Sequence, residues 1–586
     1  MFKHLPSTKS LSLLALPLLV LIGVLFLSPT KVYAASLTVD SILDTSDDTA
    51  GDGSCDDGSG NCTLRAAIEE ANALAGADTI NFGIAGSGVH TFTPGSSYDT
   101  ISEELTIDGY SQPGSSANSA VSPNPFNGTL TIEIDGTNAG GSSRGLNIQN
   151  DNVAIKGLVI NRFGEEGVAI GNFSNIRIEG NYIGIDPTGL IDRGNTGSGI
   201  DHGSTGTDVV VGGTTAAARN VISGNEGNAI AINSNLLVQG NYFGLNASGD
   251  GIIANVGGGP GANLYVVGDG NVIGGSTAST KNVNAGSSVG ILIFFDASSN
   301  VVQGNYVGTN VSGNAQSGFG NTVAAIAIIG GQDNLIGGTA EGEGNLIAGN
   351  ASGVMVGDFF ELYLARNNSI LGNSIYDNSG GTLTNLGIDL LGDTSDGAIY
   401  THAGVTPNDT GDSDEASNHL MNFPVISSVS SSNGQVTITY SLDINDSEPG
   451  ATGYRVEFFA NDSADPSGHG QGQTFIGSDT IAGDVTNRSV TIDLPSGVSG
   501  PKYISSTTTM TDASDDGFGH TSEFSLNVLA TLVAGDPDSD VGDSDSDSSS
   551  SESLADTGQN TYTYYLVGIV LLIGSGVLLK RQSKLL

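Results

Sequence analysis

The sequence predicts an all-β chain whose central part is a parallel β-helix, and three observations lead to this fold class. Glycine supplies 87 of the 586 residues, tryptophan is absent and charged residues make up only 14%. This composition is typical of many short strands joined by turns, because glycine and asparagine tolerate left-handed backbone. The other two observations are an internal repeat and, within it, a two-residue alternation of apolar and polar positions.

The internal repeat consists of two interlocked elements. The first, Gly-Asn-Tyr followed by one apolar residue and glycine, stands at 180–184, 240–244 and 304–308, with a weaker copy starting at 372. The second, an aliphatic residue followed by Gly-Gly and Thr or Ser, stands at 211–214, 273–276 and 336–339. The period is close to 62 residues. Because that is too long for one coil of a solenoid, we predict three coils of about 20 residues per period.

The local pattern inside the repeat is that of strands. Ile176 and Ile178 alternate with Arg177 and Glu179, which is the period of a half-buried strand. The positions equivalent to Ile178 hold Val238, Val302 and Ile370. We therefore expect stacked coils with aliphatic residues inside and Gly-Asn pairs at the corners. The recurring asparagines are predicted to stack as amide ladders, each side chain bonding to the next.

An amphipathic helix within Cys62–Asn72 is expected to cover the first coil, with Thr63 as its N-cap and Leu64, Ile68, Ala71 and Ala75 on its apolar face. This segment resembles the C-S-L-R-E-A signature found before many bacterial surface β-helices. Thr63 replaces its serine, and Ala66 replaces its glutamate, which removes the carboxylate of a capping box. With the repeats, the resemblance covers most of residues 36–395. It implies a right-handed β-helix and no particular reaction.

Cys55 and Cys62 are the only cysteines, and an even count in an exported chain predicts a disulfide between them. The loop around these cysteines is acidic, with aspartates at 47, 48, 52, 56 and 57. These carboxylates are a candidate calcium site, although a solvated turn is the favoured interpretation. Calcium is the one cofactor that the sequence leaves open.

The predicted domain order follows from shifts in composition. Residues 1–34 form a signal peptide, 35–78 the N-terminal cap with the disulfide loop, and 79–395 the β-helix repeats. An acidic connector at 396–424 leads to a small β-sandwich of immunoglobulin or fibronectin type at 425–531, which includes a strand at 523–528. A spacer rich in Asp and Ser follows at 532–553, and the sorting signal with a transmembrane helix and basic tail occupies 554–586.

The N-terminus predicts export. Lys3 and Lys9 precede a nearly uninterrupted apolar run, and small residues stand where a signal peptidase cuts, so we expect cleavage between Ala34 and Ala35. An uncleaved membrane anchor is the alternative, because the apolar run is long for a signal peptide.

The C-terminus predicts attachment to the cell envelope. An apolar run follows residue 564 and ends in a basic tail, as in a helix that spans the membrane with its positive end inside. Before it stand Leu554, Ala555, Asp556, Thr557 and Gly558. With the helix and tail, this pentapeptide resembles a Gram-positive sorting signal, usually L-P-x-T-G. The resemblance implies that a sortase cuts after Thr557 and links it to peptidoglycan. Ala555 departs from the motif, and a plain membrane anchor is the alternative.

No catalytic constellation stands out, and no catalytic residue is predicted. The adjacent aspartate pairs, 47–48, 56–57 and 515–516, lie outside the central coils. Asp201 precedes His202, the only histidine between 145 and 380, in what is more often a polar turn. Arg177 and Arg219, the candidate bases of a lyase, have no acidic triplet near them in sequence. The net charge of −44 argues against nucleic acid as a partner and against anionic glycans.

These features favour a non-catalytic protein displayed on the extracellular face, anchored to the cell wall or membrane, that serves in adhesion or glycan contact. Its partners would be peptidoglycan, the membrane and an extracellular glycan or a host or neighbouring surface. A pectate-lyase-like or glycosidase-like enzyme is the alternative, and a purely structural envelope protein is a third. Tyr182, Tyr242 and Tyr306 share one register and are a candidate sugar-stacking ladder, although packing at coil corners is favoured.

Overall fold

The structure is a computed structural model that describes residues 34–535, apart from 123, 204–205, 258–260, 361, 380–385, 393–403, 445–449 and 513–516. The chain divides into two units, 1–535 and 536–586. The body of the signal peptide, the aspartate pair at 515–516, most of the spacer, the sorting signal and the predicted transmembrane helix lie outside the described residues. Among the helices of the described part, none is long and apolar enough to cross a membrane.

Three parallel sheets wind around one apolar core, which confirms the parallel β-helix. Sheet A contains Ser36–Val39, Asp78–Phe82, Leu105–Asp108, Val153–Lys156, Ile176–Glu179, Val209–Gly212, Leu236–Gln239, Val272–Gly274, Val301–Gln303, Leu335–Gly337 and Ser369–Leu371. Sheet B contains His90–Phe92, Ile132–Asp135, Leu158–Asn161, Tyr182–Ile183, Val221–Ile222, Tyr242–Phe243, Val283–Asn284, Tyr306–Val307, Leu346–Ala348 and Ser374–Tyr376. Sheet C contains Leu146–Ile148, Val168–Ile170, Ile200–His202, Ile230–Ile232, Ala262–Val266, Val289–Phe294, Ala324–Ile329, Val354–Gly357 and Ile388–Leu390.

The predicted number of coils per period is wrong. In sheet A, Ile178 pairs with Val211, and Val211 pairs with Val238, so only one coil lies between two successive copies of the Gly-Asn-Tyr element. Each period therefore holds two coils of about 30 residues, since each coil carries three strands and their turns. The Gly-Gly element belongs to the coils in between. The two elements meet between neighbouring coils: the carbonyl oxygen of Gly275 would lie 2.1 Å from a Cβ added at Gly304. The φ of Gly304 is 66°, so position 304 requires glycine.

The asparagine ladders are confirmed. At the corner between sheets A and B, each side-chain amide donates to the next side-chain oxygen at 2.9–3.2 Å, in the order Asn181, Asn220, Asn241, Asn282, Asn305, Asn345 and Asn373. Each amide also donates to a main-chain carbonyl oxygen; for Asn305 the acceptor is that of Ile273, at 2.9 Å. The ladder thereby satisfies buried polar groups at the corner where the sheets are interrupted.

The N-terminal cap agrees with the prediction except at the C-terminal end of its helix. The helix spans Leu64–Ala73, and the Thr63 hydroxyl accepts the backbone N–H of Ala66 at 3.0 Å. Leu64 and Ile68 are buried in the solenoid core, and Cys55 and Cys62 form the disulfide. Ala75 lies beyond the helix and is exposed, because the helix ends two residues before it.

The C-terminal domain is built from two antiparallel sheets. One contains Val425–Ser432, Gln435–Leu442 and Val485–Asp493, and the other contains Gly453–Asn461, Thr474–Ile481, Gly500–Thr511, Phe518–Thr521 and Val528–Leu532. Four 3₁₀ helices complete the described helices: Gly109–Ser111, Gly136–Asn138, Ala216–Ala218 and Ser417–Leu420.

The C-terminal domain also closes the last coil of the solenoid. Asn378 ends a second asparagine ladder by donating to the Gln471 side-chain oxygen at 3.0 Å, and the Asn368 N–H donates to the Asn418 side-chain oxygen at 3.1 Å. Phe524 packs into the end of the solenoid core. The strand predicted at 523–528 is wrong, since one strand ends at Thr521 and the next begins at Val528. The Ser525 N–H still donates to the Ser506 carbonyl at 2.9 Å, while Phe524 packs against the last coil.

We predict that Asn305→Ala destabilises the protein by about 3 kcal/mol or more, because the truncation leaves buried donors on Asn282 without an acceptor. Urea unfolding of a chain spanning 35–535 measures the difference. The control is Asn314→Ala, an exposed asparagine of the same coil, for which the expected change is within about 0.5 kcal/mol. Equal stability of the two variants would contradict a structural role for the ladder.

Candidate functional site

The recurring tyrosines pack against the protein, which confirms corner packing for two of them. Tyr182 and Tyr242 are buried on the outer face of sheet B, and Tyr306 is half-buried. Phe126 packs against Tyr182 with ring centroids 5.0 Å apart, and the Tyr242 hydroxyl donates to the Asn124 carbonyl at 3.2 Å. The rings of Tyr182 and Tyr242 are therefore unavailable for stacking with a ligand.

Short hairpins complete this cover, and the sequence analysis missed them. They are closed by the bridges Ile185–Asp192, Leu245–Ile252 and Thr309–Ala315. The hairpins stack on one another, since Ala247 N–H donates to the Gly189 carbonyl at 2.9 Å and Val311 N–H to the Gly249 carbonyl at 3.2 Å. The sequence feature that could have predicted these hairpins is the Asp or Asn that recurs shortly after each Gly-Asn-Tyr element.

Asp201 and His202 face opposite sides of sheet C, so they do not form a catalytic pair. His202 points into the core and is fully buried, and neither ring nitrogen has a hydrogen-bond partner among the residues that the structure describes. Burial lowers the pKa of His202 to about 4. The imidazole therefore packs as a core side chain in its neutral form.

A cluster of charged residues lies beside Asp201. Arg144 contacts Glu166 at 2.7 Å and Glu165 at 3.1 Å. Burial raises the pKa of Asp201, and the negative charge of Glu166 raises it further. A carboxyl group of raised pKa beside a second acidic side chain is a combination that acid–base catalysis uses. The sequence analysis considered aspartate pairs only and missed the adjacent glutamates.

The other residues considered at the sequence level have structural partners. Arg177 forms two hydrogen bonds with the Asp208 carboxylate, both at 2.9 Å, and Arg219 stacks 4.5 Å from the ring centroid of Tyr242. In the acidic loop, Asp56 accepts the N–H groups of residues 58 and 60 at 2.8 Å, so its carboxylate shapes a turn. No three His, Cys, Asp or Glu side chains of the described residues converge as a metal site.

The candidate site is a group of aromatic rings at the corner that follows sheet C, and we call it the aromatic corner. It consists of Tyr265, Phe294, Phe295, Phe359, Phe360 and Tyr363. The rings come from three coils and form a connected set, with neighbouring centroids 4.2–6.1 Å apart. No sequence motif signals it, since Tyr265 and Phe294 lie on strands of sheet C while the other four rings lie in the turns that follow such strands.

Two rings of the aromatic corner are held in solvent by strained backbone. Phe295 and Phe360 have φ angles of 59° and 53°, and their exposed fractions are 38% and 47%. Left-handed backbone is unusual for a bulky residue, and it persists only where the surrounding structure imposes it. Leu362 and Leu364 extend the exposed apolar surface. Contiguous patches of this kind mark interaction sites.

Comparison with known proteins gives fold likeness only. No protein-family model and no curated protein matches the sequence. Similar solved structures include pectate lyase Pel9A, with 14% identity over 65% of this chain and 94% of that chain, at a TM-score of 0.23.

Two tailspike structures are also similar. The first is the enzymatically active domain of tailspike protein 2 of bacteriophage CBA120, with 14% identity over 78% of this chain and 66% of that one, at a TM-score of 0.19. The second is full-length tailspike protein 2 from an Escherichia coli O157:H7 bacteriophage, with 15% identity over 78% and 60%, at a TM-score of 0.18. At these scores the likeness carries no information on what this chain binds or cleaves.

We predict a pH-dependent effect of His202→Leu. The folded-state pKa of His202, about 4, lies below the ordinary value of 6.5. The contribution of His202 to the free energy of unfolding is therefore fully present above pH 6.5 and is lost as the pH falls towards 4. When the pH is lowered from 7.5 to 5, the free energy of unfolding of wild type should fall by about 2 kcal/mol more than that of the variant. Urea unfolding at both values tests this, and a pH-independent difference would contradict it.

Proposed function

We propose that this chain is a non-catalytic protein of the cell surface that contacts glycans through the aromatic corner. The observation that carries the proposal is the pair of exposed rings, Phe295 and Phe360, held in left-handed backbone at one corner of the solenoid. The hydrogen-rich faces of sugar rings are apolar, and they pack against aromatic faces as other apolar groups do.

The arrangement of the aromatic corner supports this function. Phe359 contacts four other rings of the cluster, so the exposed rings rest on a packed base and lose little freedom when a ligand binds. The corner lies on coils whose sheet C strands are Ala262–Val266, Val289–Phe294 and Val354–Gly357. Because hairpins cover the tyrosines of sheet B while Phe295 and Phe360 are exposed, we expect an extended glycan to contact the protein at this corner.

Display outside the cell is part of the same proposal. Export through residues 1–34, a spacer at 532–553 and sortase linkage through Thr557 would hold the solenoid away from the envelope. The net charge of −44 favours neutral glycans over anionic ones. Adhesion to a neighbouring or host surface is the role that such a display serves.

We expect the soluble chain 35–535 to bind neutral glycans on an array, and Phe295→Ala with Phe360→Ala to weaken binding by about tenfold or more, since two stacking faces are lost. The matched control is Leu526→Ala, an exposed apolar residue of the C-terminal domain, which should bind as wild type does. Equal binding by the double variant would contradict the proposal, and an array without any bound glycan would favour a purely structural envelope protein.

We expect Thr557→Ala to abolish covalent attachment to peptidoglycan, because the sortase requires that residue as the new C-terminus. The measurement is release of the protein from whole cells by muramidase, compared with wild type. Wild-type protein that detergent extracts without muramidase would show a plain membrane anchor instead.

A second candidate function, polysaccharide cleavage, has one observation in its favour: the raised pKa of Asp201 beside Glu166. Its test is the release of reducing ends from a polysaccharide panel, with Asp201→Asn and Glu166→Gln as variants and Arg488→Met as a control outside the cluster. Turnover that both variants abolish would establish an enzyme and overturn the non-catalytic proposal.

A further inference from the structure

A cavity of about 320 Å³ lies where the last coils of the solenoid meet the C-terminal domain. Solenoid residues 338–342, 344 and 372 form one wall, and Arg455, Glu457 and Phe475 of the C-terminal domain form the other. The cavity is at a different place from the aromatic corner, and the two share no residue. Crevices between packed modules are common places for small ligands.

Arg455 is held in place by a buried carboxylate. Its Nε donates to Glu457 Oε1 at 2.9 Å, and Glu457 Oε2 accepts the Gly372 N–H at 2.9 Å. Glu457 is buried, so both of its oxygens are fixed by these bonds. The two terminal nitrogens of Arg455 have no hydrogen-bond partner among the described residues. A guanidinium that is oriented at Nε, with its other donors unused, is prepared to bond a ligand.

Phe475 supplies an apolar face beside that guanidinium. Its exposed fraction is 37%, and the Arg455 guanidinium carbon lies 5.9 Å from its ring centroid. The ring rests edge to face on the buried ring of Phe459, with centroids 5.9 Å apart. Phe475 is therefore supported from below while one part of its surface stays open to the cavity.

The solenoid wall is a glycine-rich loop with no bulky side chain. The Glu343 carboxylate accepts the Ala340 N–H at 2.8 Å and fixes the loop. A Cβ added at Gly342 would lie 2.1 Å from the Ser276 oxygen, so this position requires glycine. Main-chain groups of such a loop can approach a ligand closely. Glu341 adds an exposed carboxylate as an acceptor.

The charges of the lining decide the ligand class. One guanidinium stands against the carboxyl groups of Glu341 and Glu457, so the cavity has no excess positive charge to hold an anion. Donors, acceptors and an aromatic face side by side match the hydroxyl groups and the apolar face of a sugar. We propose that this cavity binds an uncharged saccharide unit, through the terminal nitrogens of Arg455, the Glu341 carboxylate and the Phe475 ring.

The test is calorimetry and saturation-transfer NMR on the chain 35–535, with neutral gluco-, manno-, galacto- and xylo-oligosaccharides and, for comparison, oligogalacturonates. We expect at least one neutral oligosaccharide to bind, and to bind more tightly than the oligogalacturonates. Phe475→Ala and Arg455→Met should each weaken binding by about tenfold or more. Arg488→Met, which alters an arginine of the same domain paired with Asp479, is the control and should bind as wild type does.

Arg455→Met leaves Glu457 buried without its partner and is the variant at risk of misfolding. Ala340→Trp avoids that risk, because it fills the cavity from an exposed loop position and changes no charge. It should also abolish binding. The proposal is overturned if no neutral oligosaccharide binds, if oligogalacturonates bind more tightly, or if Ala340→Trp and Phe475→Ala bind as wild type does.

The same measurements separate this cavity from the aromatic corner. The double variant Phe295→Ala, Phe360→Ala should keep the calorimetric binding that Phe475→Ala loses. If saccharide binding depends on the aromatic corner alone, the proposed function stands and the cavity proposal fails. If it depends on the cavity alone, the proposed contact surface is wrong and the cavity proposal stands.

Discussion

Buried side-chain amides carry the architecture of this solenoid. At a corner, the backbone leaves one sheet and enters the next, so its N–H and carbonyl groups lose their strand partners while they remain buried. An asparagine at that point accepts from the preceding coil and donates to the following one, as Asn305 does with Asn282 and Asn345. Because each amide needs a neighbour on both sides, a coil is stable only within a stack, and the stack needs closed ends.

The C-terminal domain closes one end of this stack. Gln471 accepts from the side-chain amide of Asn378, and Asn418 accepts from the backbone N–H of Asn368, so the C-terminal domain supplies the last acceptors of these two asparagine rows. Phe524 meanwhile covers the apolar end of the core. The cavity beside Arg455 lies where this domain meets the coils that it covers. The same closure that stabilises the solenoid therefore creates a surface with the chemistry of both modules.

Sequence reasoning succeeded where a residue type is required by local backbone and failed where contacts depend on neighbouring coils. Glycine and asparagine at corners indicated the solenoid and its ladders. The coil length was wrong because the Gly-Asn-Tyr motif recurs only in every second coil, whereas the ladder position recurs in every coil: Asn220 stands outside that motif, yet it lies in one ladder with Asn181 and Asn241. The aromatic corner was missed because its rings come from three separate coils and converge only after the coils stack.

The parallel β-helix that opened the sequence analysis was thus determined by the sequence itself, together with the capping helix, the disulfide and the inward aliphatic positions. These follow from short-range rules, since left-handed corners need glycine and half-buried strands alternate. The tertiary structure alone decided the number of coils, the exposure of each aromatic ring and the closure of the last coil. Each of these depends on which surfaces are covered by segments far away in the chain, and a ring such as Tyr242 is hidden or available only according to what packs on it.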